Sequence, residues 1–423
     1  MGAVASTSDI TSTEQAPYTG LPPVATVDYE TSPEKRDRTL KHLLRANHHN
    51  YSVLYSQLRY HNHLPHALGT AYLLGASAET LNGMYEEEIR HLEPWVDAPG
   101  EISRHDWRDF LSMREYQRAF LDFFEDELVR FGYDWKAVVT EYMLKGPEPM
   151  LFGGIGGLGH PLIHLGYAFE LNSKDVAMEA LTLAATNYNF LHNYIDRDFP
   201  TTGFVPTHTT AAQSLSSKAH TTDPLAILDA IRTDARFDNL FDSPGSVNIE
   251  KLFAERESAV LEHYYSLDTT DLAQIHRAIT HAAVLLLCAT HTPGETNFDF
   301  FYVHLLTVSH AVRTLLPVVP VKYALPLVRS HWLFVIIVYI IQLRPMIHPE
   351  LVEDVDVKGR GWEQVVGHVL EKESSKDVHY LKAVRAMRDA AGLWEEDGEF
   401  YLKAAVKLAW EFVKWGGFDG ETN

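Results

Sequence analysis

The chain has 423 residues, 46% of them apolar, a formal charge of −21 and one cysteine, Cys288. That length buries one large core or two ordinary ones, and the acidity excludes a phosphate-tracking nucleic-acid surface. A single thiol excludes a disulfide framework, a cysteine-rich zinc site and an iron–sulfur cluster.

No basic and apolar leader opens the chain, so an intracellular, cytoplasmic, soluble protein is expected. Met1-Gly2-Ala3-Val4-Ala5-Ser6 fits a myristoylation pattern, but one acyl chain anchors only marginally. Residues 1–33, rich in Ser, Thr, Pro and Gly, read as a disordered tail. From there one integrated all-α domain is predicted over 34–423. Leu40, Leu43, Leu44, Tyr51, Leu54 and Leu58 follow a helical stripe, as do Phe110, Met113, Phe120, Phe123 and Phe124. Further helices are predicted over 176–195, 271–291, 299–316, 327–343, 377–391 and 397–415, while strand-like alternation is scarce. Residues 199–247 read as an insertion or long surface excursion. The apolar run Trp332–Ile341, bounded by Arg329 and Arg344, falls short of the ~20 residues a bilayer needs. It is expected as a buried core helix, with no stable membrane insertion.

Histidines stand in the apolar segments at helical spacing: His63 and His66, His160 and His164, then His310, and His379 three residues before Lys382. Spacing of i,i+3 or i,i+4 puts two rings on one face, and neutral imidazole is the commonest protein metal ligand. The alternative reading is that these rings cap helices or satisfy a polar core. Pro65 and Pro161 each fit the first turn of a helix, and His61 should face away from His63. His304 and His310, six apart, point to different sides of one helix, with His310 the more buried by its flanks. Asp377 can cap a helix that carries His379 and Lys382 on one face. An ordinary lysine is a poor ligand, but a buried neutral one can take up CO₂ as a carbamate. An exposed, ion-paired Lys382 is the competing reading.

The run from Gly153 to Gly159 contains GxGxxG at Gly154, Gly156 and Gly159. A dinucleotide fingerprint needs a preceding strand, and LKGPEPMLF is broken by prolines, so close backbone approach at a pocket wall is the better account. Only one Glu-x-x-His occurs, Glu88 to His91, where a di-iron carboxylate bundle wants two. His91 with Glu93 and His348 with Glu350 lack a third histidine nearby. HExxH and GxSxG are absent.

The blocks NHLPHALGTAYLLGA, GHPLIHLGYAFE, SHAVRTLLP and HYLKAV resemble the questin oxidase-like family over about residues 40–390. That resemblance implies a fungal polyketide-pathway oxygenase that opens an anthraquinone-type ring with O₂, giving a benzophenone acid. It also implies one non-haem iron held mainly by histidines and a carboxylated lysine, which maps to Lys382. For metal contact the preferred set is His63, His164, His310 and His379, with His66 and His160 as ligands or orienting rings. Tyr72, Phe152, Tyr167, Tyr188 and Tyr302 are expected in the substrate pocket from their proximity in sequence. Two rival functions remain: an NADPH-dependent Baeyer–Villiger-type monooxygenase on the same substrates, and a non-enzymatic helical binding protein.

Overall fold

Ser173, Asp223, Asp271, Asp299 and Asp377 each precede an apolar helical run, and each side chain accepts a backbone N–H from that helix's first turn. Five helix starts are thus set by local chemistry. The computed structural model describes residues 16, 18–146, 148–198, 220–291, 297–371 and 377–418. Its principal helices are α1 (Lys35–Asn50), α2 (Leu64–Leu73), α3 (Ala78–Glu88), α4 (Gln117–Arg130), α5 (His160–Glu170), α6 (Lys174–Thr186), α7 (Pro224–Arg232), α8 (Asn248–Tyr265), α9 (Leu272–Cys288), α10 (Phe300–Leu315), α11 (Ala324–Ile341), α12 (Trp362–Glu371), α13 (Val378–Leu393) and α14 (Gly398–Glu411). The fold is all-α, as expected.

Helix α10 is the hub, packing on α5, α9, α11 and α13. On one side α5 leans on α6, which rests on α4 and α1; on the other, α13 packs on α14 and α2. One contiguous core joins these layers, from Leu40 through Leu162 and Val308 to Leu408. The stretch Val321–Ile341, which includes α11, is long and apolar enough to cross a membrane by itself, but 89% of its most apolar window is buried inside the fold. It is a core helix.

Strand is confined to two small pieces among the described residues. Leu54–Tyr55 (β1) pairs antiparallel with Tyr60–His61 (β2), and Asn297–Asp299 (β3) pairs parallel with Lys414–Gly416 (β4). The first piece ends the predicted stripe early: α1 stops at Asn50, and the chain turns at Ser56, Gln57 and Leu58, all with positive φ. Similarly, α6 ends at Thr186 and α14 at Glu411, short of the predicted ends.

Two further expectations are corrected. Of the predicted disordered tail, residues 1–15 and 17 lie outside the described residues, but the chain from 18 onward packs on the core. Leu21 and Tyr29 are buried, and the Val27 N–H donates to the Glu170 carbonyl at 2.9 Å. Of the predicted excursion, 199–219 lie outside the described residues. Residues 220–247 include α7, which buries Ile227, Leu228 and Ile231 as an integral part of the core.

Candidate metal centre

Four helix N-termini converge on one point. His63 immediately precedes α2, with Pro65 in its first turn, and His160 opens α5 behind the left-handed Gly159. His304 lies one turn into α10, and His379 is the second residue of α13. One ring nitrogen from each of His63, His160, His304 and His379 lies within 4.8 Å of the others. His63 Nε2 and His160 Nε2 are 2.6 Å apart.

The surroundings keep these rings neutral. Burial, followed by the Lys382 charge, drives the pKa of His63 and His379 well below the ordinary value. Burial and the neighbouring rings do the same to His160. Burial, then Lys382, lowers His304 to about 3. The positive ends of four helices act in the same direction. Lone pairs are therefore present at neutral pH, as metal coordination requires.

Backbone carbonyls choose the tautomers. Assigned from its partner, His160 Nδ1–H donates to the Gly157 carbonyl at 2.6 Å, and His304 Nδ1–H donates to the Phe300 carbonyl at 2.8 Å. Each ring is left with its Nε2 lone pair. The Nε2 atoms of His304 and His379 are buried without a hydrogen-bond partner, as is Lys382 Nζ. Buried polar atoms left unmade cost free energy, and a divalent cation among the four rings would engage those imidazole nitrogens. The donor set fits a histidine-bound metal. Burial lowers the Lys382 amine to about 7 against a weaker upward pull from Asp377, so much of it is an unprotonated nucleophile near neutral pH.

A second layer of buried groups orients the first. His66 stacks on Tyr167 with ring centroids 5.0 Å apart, and its Nε2 meets His164 Nδ1 at 3.0 Å. His164 Nε2 donates to Glu179 at 2.9 Å, and the other Glu179 oxygen accepts from His48 Nδ1 at 3.0 Å. His48 Nε2 then reaches Glu125, 38% exposed, at 2.9 Å. Burial would raise Glu179, but the hydrogen bonds from His164 and His48 outweigh it and hold the carboxyl at about 2. The ionised Glu179 fixes His164 as the Nε2–H tautomer.

The expected ligand set is therefore corrected at two positions. His164 is turned toward Glu179 and His66, one helical turn from the cluster, where His160 stands instead. His310 faces the other side of α10, with Nε2 3.1 Å from Glu170, and His304 takes the inward position. His61, expected to face away from His63, instead stacks its ring on His160 at 4.1 Å, and its Nε2 meets Asn187 Oδ1 at 3.1 Å. The β1–β2 turn that brings His61 back over the site carries no helical periodicity.

Of the expected pocket residues, only Tyr167 adjoins Lys382, across a narrow cleft. Tyr72 bonds Asp37 at 2.6 Å beneath Arg36, and Phe152 packs beside Tyr323 in the core. Tyr188 stacks on His192, and Tyr302 is buried on α10 toward Tyr339. The aromatic border of the cluster comes from elsewhere. The Phe300 ring lies 4.7 Å from His379 and 4.8 Å from Phe418, with Trp415 6.4 Å from His379. These rings and His63 are only partly buried, so the cluster has an open edge.

The glycine run builds the opposite wall. No strand precedes it; short 3₁₀ turns cover Met150–Gly153 and Gly157–Gly159. Gly159 has φ +77°, and a Cβ there would stand 2.2 Å from Val308 Cγ2. The run lets α5 start against α10 and supplies the Gly157 carbonyl to His160, and it lacks the context of a nucleotide fingerprint.

A second group, Glu170, His310 and Asp389, also places its ligand atoms within 4.8 Å. Arg385 already engages both carboxylates, Glu170 as a buried pair and Asp389 at 3.2 Å. This group is an ion-pair network.

The family model described as questin oxidase-like matches residues 60–387. A Baeyer-Villiger oxidase of Pestalotiopsis microspora is 25% identical over 406 residues, covering 90% of this chain and 88% of that protein. A questin oxidase of Aspergillus fumigatus is 26% identical over 304 residues, 68% of this chain and 66% of the relative. A Baeyer-Villiger oxidase of Emericella nidulans is 33% identical over 177 residues, 39% of each.

Proposed function

The chain belongs to the questin oxidase-like family, and from that premise we propose that it is a non-haem iron oxygenase opening the ring of an anthraquinone-type polyketide. The observation that carries the reading is the meeting of four neutral imidazoles beside a buried lysine amine. His63, His160, His304 and His379 hold the iron through ring nitrogens. Lys382 supplies a fifth, anionic ligand once its amine has added CO₂, forming an N–C bond and releasing one proton. One carbamate offsets one of the two positive charges of Fe(II), which an all-histidine set leaves unbalanced. When bound, the iron supplies the one-electron chemistry by which O₂ reacts with a closed-shell aromatic ring.

The protein's own part is binding and orientation. Gly157 and Phe300 lock two rings as lone-pair donors, and Glu179 holds His164 and through it His66. Phe300, Trp415 and Phe418 offer aromatic faces at the open edge for a flat substrate to stack on. Adding both atoms of O₂ to an anthraquinone leaves it two hydrogen atoms short of a hydroxybenzoyl benzoic acid. The ring must therefore enter as its hydroquinone, or NADPH must supply those hydrogens.

The relatives named Baeyer-Villiger oxidases favour a second reading, in which NADPH reduces one oxygen atom to water and hydrolysis of an inserted ester opens the ring. Metal analysis of the purified protein, followed by turnover under ¹⁸O₂, separates the two. About one iron per chain and two labelled oxygens in the ring-opened acid support the first. One labelled oxygen, with activity that needs NADPH and no stoichiometric metal, would sink it.

A further inference from the structure

A large cavity lies away from the four histidines. It measures about 470 Å³, within the range of small-molecule sites. Its roof is the segment Pro22–Ala25, and its floor is formed by Leu73, Leu393, Arg313 and Arg388. The roof is fixed on either side: Leu21 is buried, and Val27 is tied to the Glu170 carbonyl. At its inner end the cavity shares Glu170, His310 and Arg385 with the narrow cleft that reaches Lys382. That cleft has a volume of about 10 Å³, roughly one water molecule, so a larger occupant of the cavity stays outside the metal site.

The charges lining the cavity do not cancel. Glu170 and Asp389 are taken up by Arg385, with His310 also on Glu170. Arg313 and Arg388 have no salt bridge or hydrogen bond to any described residue, and Arg313 Nη1 is buried without a partner. In a chain of net charge −21, three arginines against two carboxylates leave this cavity one positive charge in excess, a local exception. A buried guanidinium N–H left unpaired costs free energy, and the planar fork of arginine matches a carboxylate. The prolines, Val24, Leu73 and Leu393 offer an apolar surface beside them.

We propose that this cavity is a binding site for an aromatic carboxylate, its acid group held by Arg313 and Arg388 and its rings lying under the Pro22–Ala25 strap. The cavity alone gives the ligand class; that the ring-opened acid of the proposed reaction belongs to it rests on the functional reading above.

The test is calorimetric titration of the full chain with 2-benzoylbenzoate, in parallel with neutral benzophenone and with inorganic phosphate. The expected result is saturable binding of the acid, weakened at least tenfold in an Arg313→Gln/Arg388→Gln double variant, with both control compounds binding at least tenfold more weakly. Arg388→Gln alone, which leaves Arg313 and its buried Nη1 in place, is expected to lose several-fold and guards against misfolding of the double variant. Equal binding in wild type and both variants, or of benzophenone and the acid, overturns the proposal, and phosphate binding as tightly as the acid overturns its aromatic half. Binding needs no turnover, so a protein that holds no iron still answers the question. A protein that holds iron but ignores the acid removes this site alone.

Discussion

His304 and His310 share helix α10, and only His304 reaches the cluster. His304→Ala removes a ring nitrogen that has no other partner and is expected to abolish stoichiometric metal, read by elemental analysis of folded protein. His310→Ala should keep the metal, because its ring serves Glu170 and Arg385. If the two variants hold equal metal, the four-histidine assignment is wrong. His164→Ala belongs between them: it leaves all four rings but releases His66, and such outer partners are worth about 10–100-fold in metal affinity. The histidine spacing made these candidates visible in the sequence, but it did not say which ring of each pair turned inward. Every residue from Phe301 to Ser309 on α10, and from His160 to Ala168 on α5, is buried. A helix with no polar face gives periodicity no direction to report. The helix that carries Lys382 was legible, since Asp377 caps it as predicted, accepting from the His379 and Tyr380 N–H groups at 2.9 and 3.0 Å, but the burial of the lysine was not.

At the scale of elements, the site depends on how closely α5 can start against α10. Gly159 makes that possible through a left-handed backbone and a bare Cα against Val308. Gly159→Ala is expected to cost about 1–3 kcal/mol from overpacking and about 1 kcal/mol more from the left-handed conformation, measured by urea unfolding. Adding Val308→Ala should recover the first part and leave the second. Full recovery would mean the backbone conformation is not strained, and no initial loss would mean the helices are not this close. Helix starts were legible because their signals are local: Asp or Ser caps, and Pro65 and Pro161 in first turns. Ends were not. The helix predicted to 415 stops at Glu411 because Lys414–Gly416 pairs with Asn297–Asp299, more than a hundred residues away in sequence. That pairing carries Trp415 to the site, where its Nε1–H donates to Asp377 at 2.7 Å. No local pattern announces such a contact.

For the molecule as a whole, the buried titrating groups determine how stability depends on pH. Among the histidines in and around the cluster, His63, His66, His160, His304 and His379 are all lowered, chiefly by desolvation. The unfolded chain therefore binds more protons below about pH 6.5, and metal-free protein loses stability as pH falls. Glu170, which Arg385 and His310 lower against the effect of burial, acts in the same direction, as does Glu179, and their contribution is lost as pH drops below about 4.5. Asp299 and Glu88, which burial raises to about 7, oppose this trend only in part. Above pH 7 two groups counter each other. Lys382, lowered to about 7 by burial, is protonated only in the unfolded chain up to about pH 10.4, so it adds about 1.4 kcal/mol of stability per pH unit. His48 would be lowered by burial, but Glu125 and Glu179 raise it to about 10. It is charged only in the folded chain from about pH 6.5 upward and removes about 1.4 kcal/mol per unit. Their sum is a flat profile between pH 7 and about 8.5, above which the Cys288 thiol, pushed up to about 12 by burial, is protonated only in the folded chain and stability falls. Lys382→Met should expose the His48 slope, with stability falling by roughly 2 kcal/mol from pH 7 to about 8.5. The measurement is urea unfolding at a series of pH values in metal-free, CO₂-free buffer. A Lys382→Met profile as flat as the parent's would mean that Lys382 is charged in the folded state. Such a lysine would have no free amine for CO₂, and the anionic fifth ligand would fall with it.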